Sequence, residues 1–294
     1  MLRKGSMPMS LFRIAFYIVL IIVTGSALIY GFLIEPRQVK IKRYSIRLQG
    51  LPTAWQGRKI AFFSDLHAGI FYPPSHLVGV FDKLLDLEPD LICIGGDFIE
   101  ERTRLKDTKF RRRLVEQLSR LRAAKGTYAV LGNHDAETKE NLSYVRTLLA
   151  DSKITLLSNE AVMLDGLCLI GLQESYHQRP DLAAATADCH TQETMNTNAR
   201  IILMHQPDDL PTPEATGNTD LILSGHSHRG QITLFGLPLY TVKGGRKRLY
   251  GHYILSSGAQ QITTSGLGTV HIYARFFAPP EITLIEVKMV DNSL

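Results

Sequence analysis

Cysteine is scarce. The chain holds three in 294 residues, Cys93, Cys168 and Cys189. Their spacing matches neither a thiolate metal site nor a disulfide framework, and an odd count argues against full pairing. Cys93, inside Leu91-Ile92-Cys93-Ile94, reads as a small buried side chain. Composition therefore leaves the compartment open. No internal repeat is present, and aromatic residues are not interleaved with basic ones, so no nucleic-acid partner is expected. Acidic residues are the minority charge, 28 against 33 Lys and Arg, for a formal charge of +5 and a pI near 9.0. Long apolar runs are also missing, with one exception at the N-terminus.

That exception is Ile14 to Ile34, almost wholly apolar and without charge. A membrane-spanning helix needs roughly 20 such residues. A core helix would not place a charge-free run at the extreme N-terminus. Gly25-Ser26-Ala27 resembles a signal-peptidase site, but Leu28 to Ile34 continues the apolar run beyond it. The segment reads as a retained single-pass anchor in a bacterial cell membrane. Arg3, Lys4 and Arg13 precede it, and Arg37, Lys40, Lys42 and Arg43 follow. This slight asymmetry leans towards a cytoplasmic main domain. Basic clusters at Arg37 to Arg47, Lys109 to Arg113 and Lys243 to Arg248 suit solvated surface, or attraction to phosphate or anionic lipid.

With 45% hydrophobic residues, the remainder suits one large domain. Four parts follow: a tail over 1–13, the anchor over 14–34, a basic linker with a leading strand over 35–57, and the main domain over 58–290. Lys59 to Phe63, Leu91 to Ile94 and Tyr128 to Leu131 predict short buried strands. Between them Leu77, Val80, Phe81, Leu84 and Leu85 repeat at helical spacing, with Pro73-Pro74 ahead of the first turn. Phe110 to Leu121 and Leu142 to Leu149 predict two more helices. Alternation of strand and helix implies parallel pairing. The second half predicts strands at Ile154–Leu157, Leu167–Gly171, Ile201–Met204, Leu221–Leu223, Ile232–Phe235, Thr269–Tyr273 and Ile282–Val287. The expected fold class is α/β, a two-sheet β-sandwich flanked by helices. Glu174 to Asn198, with His177 and His190, follow no period and read as an insertion over the site or a surface excursion.

Polar phrases stand where apolar runs end: Asp65-Leu66-His67, Gly96-Asp97, Gly132-Asn133-His134-Asp135, Met204-His205 and Gly225-His226-Ser227-His228. Each alone has an ordinary explanation. Gly-Asp is most often a turn, Gly-Asn-His-Asp suits a turn with an Asx cap, and a histidine in an apolar stretch is usually a core residue. Their joint order, each after a strand, points to a chain that brings metal ions together. Carboxylate, imidazole and amide donors suit Mn, Fe or Zn. Asp65 and His67, two apart, can turn to one ion. Asp97 follows a double glycine that allows a sharp bend.

These phrases resemble the calcineurin-like metallophosphoesterases, over about Arg58 to Val287. Gly230-Gln231, Gly266-Leu267-Gly268 and Pro279-Pro280-Glu281-Ile282 are similar to the membrane-anchored bacterial branch. That branch includes phosphodiesterases of the YaeI and YkuE type and a UDP-2,3-diacylglucosamine pyrophosphatase of lipid A synthesis. The resemblance implies two divalent ions. Asp65, His67, Asp97 and His228 would hold the first; Asp97, Asn133, His205 and His226 the second, with Asp97 bridging. It implies attack by a hydroxide held between them, His134 facing the leaving group, and Asp135 holding the His134 ring. The implied activity is phosphodiester or pyrophosphate hydrolysis on an amphiphilic or lipid-linked substrate. The chain departs from the branch at Arg229, where a second glycine is usual. Arg229 is the expected grip on a second anionic group of the substrate. A non-catalytic scaffold of this fold would lack ligands or His134; none is missing.

Overall fold

The computed structural model describes residues 9–187, 189, 199–217 and 220–290. His190, expected in the polar insertion, and Arg3 and Lys4, ahead of the anchor, lie outside them.

Helix α1 (Met9–Ile29) runs into a π-helical turn, Tyr30–Ile34. Together they carry the apolar segment, and only 6% of its most apolar window is buried against the rest of the chain. Strands β1 (Lys40–Leu48), β2 (Lys59–Phe63), β3 (Leu91–Ile94), β4 (Thr127–Ala129) and β5 (Thr155–Leu156) belong to the first sheet. The chain's last strand, β14 (Glu281–Met289), completes it in the order β1-β14-β2-β3-β4-β5. Pairing is parallel throughout except between β14 and β2.

The second sheet takes β6 (Glu160–Leu164), β7 (Leu167–Gly171), β8 (Arg200–Leu203) and β9 (Asp220–Ser224). After the hairpin β10 (Thr233–Leu234) and β11 (Leu237–Pro238), β12 (Gly251–Ile254) and β13 (Gln260–Thr263) return to it. Its order is β12-β13-β9-β8-β7-β6. Helices α2 (Leu77–Leu85), α3 (Thr108–Leu118), the short α4 (Asn133–Ala136), α5 (Lys139–Asp151) and α6 (Leu182–Ala187) complete the elements.

Period-two alternation makes the sandwich. Along β2, Ile60 and Phe62 face the second sheet and join Leu169, Ile201, Leu221 and Ile262. Ala61 and Phe63 face outward, among Phe81, Leu84, Leu114 and Val145. Each large apolar side chain of these clusters contributes about 1.5–3 kcal/mol when fully buried. Trp55, fully buried, closes the inter-sheet core and donates Nε1–H to the Leu164 carbonyl at 2.7 Å. Parallel strands β2, β3, β8 and β9 all end at one edge of the sandwich, where the polar phrases lie.

The anchor meets this domain through a built junction. Glu35, with no exposed surface, accepts from Phe277 N at 2.8 Å and Ala278 N at 2.6 Å. Arg275 N donates to the Gly31 carbonyl at 2.9 Å. The leading strand β1 pairs with β14 along nine residues, so the linker is reduced to the few residues before Lys40.

Several expectations change. Thr269 to Tyr273 is not a strand: the Gln231 side chain takes its backbone groups, accepting from Val270 N and donating to the carbonyls of Val270 and Ile272. β12 and β13 carry no strand signature in the sequence: Ile262 alone of β13 joins the inter-sheet core, and its neighbours Gln261 and Thr263 are buried polar groups that break the apolar pattern. Cys168 and Cys189 are joined by a disulfide, against the expectation of no pair. Helix α6 folds back on the second sheet and brings them together across 21 residues; spacing alone carries no trace of that return. Cys93 stays a free, buried thiol.

Under denaturing, non-reducing conditions a maleimide–polyethylene glycol reagent should therefore add one label, at Cys93. Reduction first should raise it to three labels on the gel. Three labels without reductant would remove the disulfide.

Candidate metal centre

The site is built from turns that follow strands. Asp65 and His67 follow β2, Asp97 follows β3, Asn133 opens α4 after β4, His205 follows β8, and His226 and His228 follow β9. Asp65, His67, Asp97, His226 and His228 all have positive φ, from 43° to 68°. Left-handed backbone at non-glycine residues costs about 1–3 kcal/mol each. Asp and His tolerate it better than most. Packing holds it: Gly96, at φ 92°, and Gly132 lie so close that a Cβ on Gly96 would stand 2.4 Å from Gly132 N. A Cβ on Gly132 would stand 2.1 Å from Asp97 Oδ1. No larger residue permits this approach.

The donor atoms of Asp65, His67 and His228 lie within 4.8 Å of one another, as do those of Asp97, His205 and His226. All six residues are buried. Asp97 stands between the groups: Oδ2 is 3.1 Å from His205 Nε2 and 3.5 Å from His67 Nε2, and Oδ1 accepts from His134 N at 2.9 Å. Asp65 is held by both carboxylate oxygens against His226 N.

Burial pushes the His67 ring down to about 3 and His226 to about 4, and His228 well below its ordinary value. These rings are neutral at pH 7, with a lone pair to give. His205 goes the other way, to about 10: burial lowers it, but the touching Asp97 carboxylate more than reverses that. Burial raises Asp65 to about 6.

The donor set fits divalent ions. His67 Nε2 and His228 Nε2 face each other at 3.1 Å, a contact that a cation between two lone pairs satisfies. Asn133 Oδ1 is buried with no hydrogen-bond partner. Outer atoms are anchored as ligand rings require: His205 Nδ1 meets the Gly95 carbonyl at 2.7 Å, and His226 Nε2 the Lys243 carbonyl at 2.8 Å. Two ions about 3.5–4 Å apart are the usual arrangement for such a cluster.

His134 enters the cavity over this cluster. That cavity, of about 330 Å³, is also lined by Tyr176, Tyr240, Lys243 and His271. The His134 Nδ1 atom is 3.8 Å from Glu101 Oε1. Asp135 does not hold the His134 ring, as the resemblance implied. Its oxygens accept from Phe98 N at 2.8 Å and Gly132 N at 2.9 Å. Burial raises it to about 7, with the Asp97 charge adding to the rise. Asp135 thus ties the loops after β3 and β4, and Glu101 is the carboxylate beside His134.

Arg229 also departs from expectation. Its guanidinium lies over the Tyr250 ring at 4.3 Å, and it is not among the residues lining the cavity. Lys243 is the cation there.

Sequence reasoning misses Arg275, which has no exposed surface. Its guanidinium donates to the carbonyls of Gly268, Ala278 and Ser265 and stands 3.5 Å from His228 Nδ1. An arginine among aromatics gives no periodic signal. Tyr176 escapes it too; its hydroxyl is 3.1 Å from His226 Nε2.

These placements separate roles. Asp97→Ala should lose bound metal, because one carboxylate serves both groups. His134→Ala should keep metal near wild type and lose about 10²–10⁴-fold in turnover, the usual worth of an acid–base group. Glu101→Gln should lower turnover at unchanged metal content, and Asp135→Asn should chiefly lower the Tm. Elemental analysis of each purified variant is the check. A metal-free His134→Ala protein would overturn the division.

The sequence model of the calcineurin-like phosphoesterases matches residues 58–230. The chain is 30% identical over 257 residues to an uncharacterized metallophosphoesterase of Helicobacter pylori, covering 87% of this chain and 66% of that one. It is 29% identical over 276 residues to the uncharacterized metallophosphoesterase YkuE of Bacillus subtilis, covering 91% and 92%. It is 29% identical over 271 residues to phosphodiesterase YaeI of Escherichia coli, covering 90% and 94%. The chain thus spans about two thirds of the Helicobacter relative's length and nearly all of the other two. With more than half of its residues matched by the family model and the ligand phrases inside that match, the chain belongs to the calcineurin-like phosphoesterase family.

Proposed function

We propose that this chain is a membrane-anchored, two-metal hydrolase of a phosphodiester or pyrophosphate in an amphiphilic substrate. One observation carries the reading most. The buried donor cluster opens into a polar cavity that shares His228, Tyr240, Val242, Val270 and His271 with a second, mainly apolar cavity of about 230 Å³. A phosphoryl group and an apolar chain can occupy neighbouring spaces. The name of the E. coli relative, phosphodiesterase YaeI, agrees with the reaction class.

Asp65, His67, Asp97 and His228 would hold one ion, and Asp97, Asn133, His205 and His226 the other. Bound there, two divalent ions would polarise the phosphoryl oxygens and lower the pKa of a water to about 7. His134, above the cluster, donates to the departing oxygen. The Glu101 carboxylate lies 3.8 Å from its Nδ1, near enough to act on the ring by charge. Tyr176, through its hydroxyl on His226 and its backbone in the loop after β7, orients one ligand ring. Lys243 supplies the positive charge for a second anionic group, the role expected of Arg229.

The anchor places the reaction at a membrane. The flanking basic residues lean to a cytoplasmic domain, but by a small margin. The Cys168–Cys189 disulfide favours an oxidising compartment, and we take it as the weightier sign. UDP-2,3-diacylglucosamine, the alternative substrate, carries a nucleotide supplied in the cytoplasm, so this orientation favours a lipid diester over it.

The test is a panel offered to metal-loaded, full-length enzyme: a p-nitrophenyl monoester, its diester, UDP-2,3-diacylglucosamine, and a phospholipid diester in vesicles. The expected order places the vesicle-borne diester first. No hydrolysis of any member, or equal rates with and without metal, would end the enzymatic reading. Equal turnover of vesicle-borne and soluble diesters would end the lipid preference. Lys243→Ala should weaken the substrate with two anionic groups about tenfold, which is about 1.4 kcal/mol, while Arg229→Ala leaves it unchanged.

A further inference from the structure

The stretch from Ile232 to Val242 has no charged residue. It forms the β10–β11 hairpin and its exit, and it is exposed. Phe235 is 87% exposed, Leu237 74%, Leu239 70% and Leu234 52%. Water does not favour such a tip on a domain whose other large apolar residues are mostly inside. The hairpin's neighbours say what covers it. The Phe235 ring stacks on Phe277 at 6.3 Å between centroids. Phe277 in turn lies 6.4 Å from the Tyr30 ring, and Phe276 lies 5.8 Å from it. Tyr30 is the residue at which α1 passes into its π-helical turn. The exposed apolar surface of the hairpin is therefore continuous, ring by ring, with the anchor's exit.

The hairpin is also fixed. Thr233 N donates to the Phe276 carbonyl at 2.8 Å, and the Gln231 side chain binds the 270–272 backbone. Glu35 locks the same 276–278 segment to the end of the anchor. Anchor exit and hairpin form one rigid unit, with exposed Arg37, Lys40 and Lys42 next in the chain.

We infer that the hairpin, with Phe235, Leu237 and Leu239 at its tip, inserts into the interfacial layer of the bilayer crossed by α1. Docked this way, the bilayer surface lies beside the apolar cavity, whose lining includes Ile232 and Tyr240 of the same stretch. His228 also lines that cavity. The site then draws an amphiphile sideways from the layer instead of waiting for one in solution. The inference rests on the anchor being retained, and it does not require any particular substrate.

The chain's single tryptophan, Trp55, is fully buried and gives a fixed background. Full-length Phe235→Trp and Phe16→Trp are reconstituted in vesicles with lipids brominated along the acyl chain. An interfacial group sits about 5–10 Å into the headgroup and acyl boundary, so Phe235→Trp should lose about half of its added emission. Phe16→Trp reports the anchor. If it is quenched and Phe235→Trp is not, the hairpin inference falls while the anchor stands. If neither is quenched, both fall. Joint Phe235→Ser, Leu237→Ser and Leu239→Ser replacement should leave a soluble p-nitrophenyl diester unaffected and slow a vesicle-borne diester about tenfold. Quenched Phe235→Trp with no turnover of any lipid would support docking and overturn the lipid-substrate reading.

Discussion

The Asp97 carboxylate is the point on which the site depends. It is almost fully buried, and its two oxygens reach His205, His67 and the backbone of His134. A bare charge in that position is costly unless countercharge surrounds it. The chain supplies one ring, His205, whose pKa the carboxylate raises, and the rings of His67, His226 and His228, pushed to neutrality by burial, which can give lone pairs to a cation. The glycines around it exist because no Cβ fits between Asp97 and the neighbouring loop. Left-handed backbone at five of the donor residues is held by the same crowding. The stability of the sandwich is what sustains this strain, since rigid sheets on both sides leave the loops no room to relax.

A second constraint joins the anchor to the site. Arg275 fills a fully buried position with its guanidinium on three carbonyls and near His228, while its own N–H holds Gly31. Glu35 takes the next N–H groups along the same segment. A buried arginine survives only when its donors are satisfied, and here the satisfaction links the end of the N-terminal apolar helix to His228. The end of the N-terminal apolar helix is thus part of the domain's architecture.

The polar cavity and the apolar cavity share walls because the turn carrying His226 and His228 leads straight into the β10–β11 hairpin. One short stretch of chain therefore delivers His226 and His228, cavity wall and exposed apolar tip in succession. The strain this imposes is visible in the backbone: His226, His228, Arg229 and Gln231 all take positive φ.

Much of this is legible in the chain itself. Strand ends announce themselves by apolar runs that stop at Asp, Asn, His and Gly, and parallel strands must end at one edge. The donor residues Asp65, His67, Asp97, Asn133, His205, His226 and His228 can therefore be named and expected together. The N-terminal apolar helix is legible because about twenty consecutive apolar residues favour one. Contacts between distant segments are not legible in the same way. Cys168 meets Cys189 only because α6 returns to the second sheet. Asp135 turns to Phe98 and Gly132 instead of the His134 ring, because those backbone N–H groups stand within hydrogen-bond reach. Arg229 stacks on Tyr250, and Lys243 reaches the cavity in its place. Residue type and local pattern suffice to say which polar side chains gather and roughly where each strand delivers them. Which side chain touches which belongs to the folded chain, because hydrogen-bond partners and ring contacts depend on distances that close between segments far apart in the sequence.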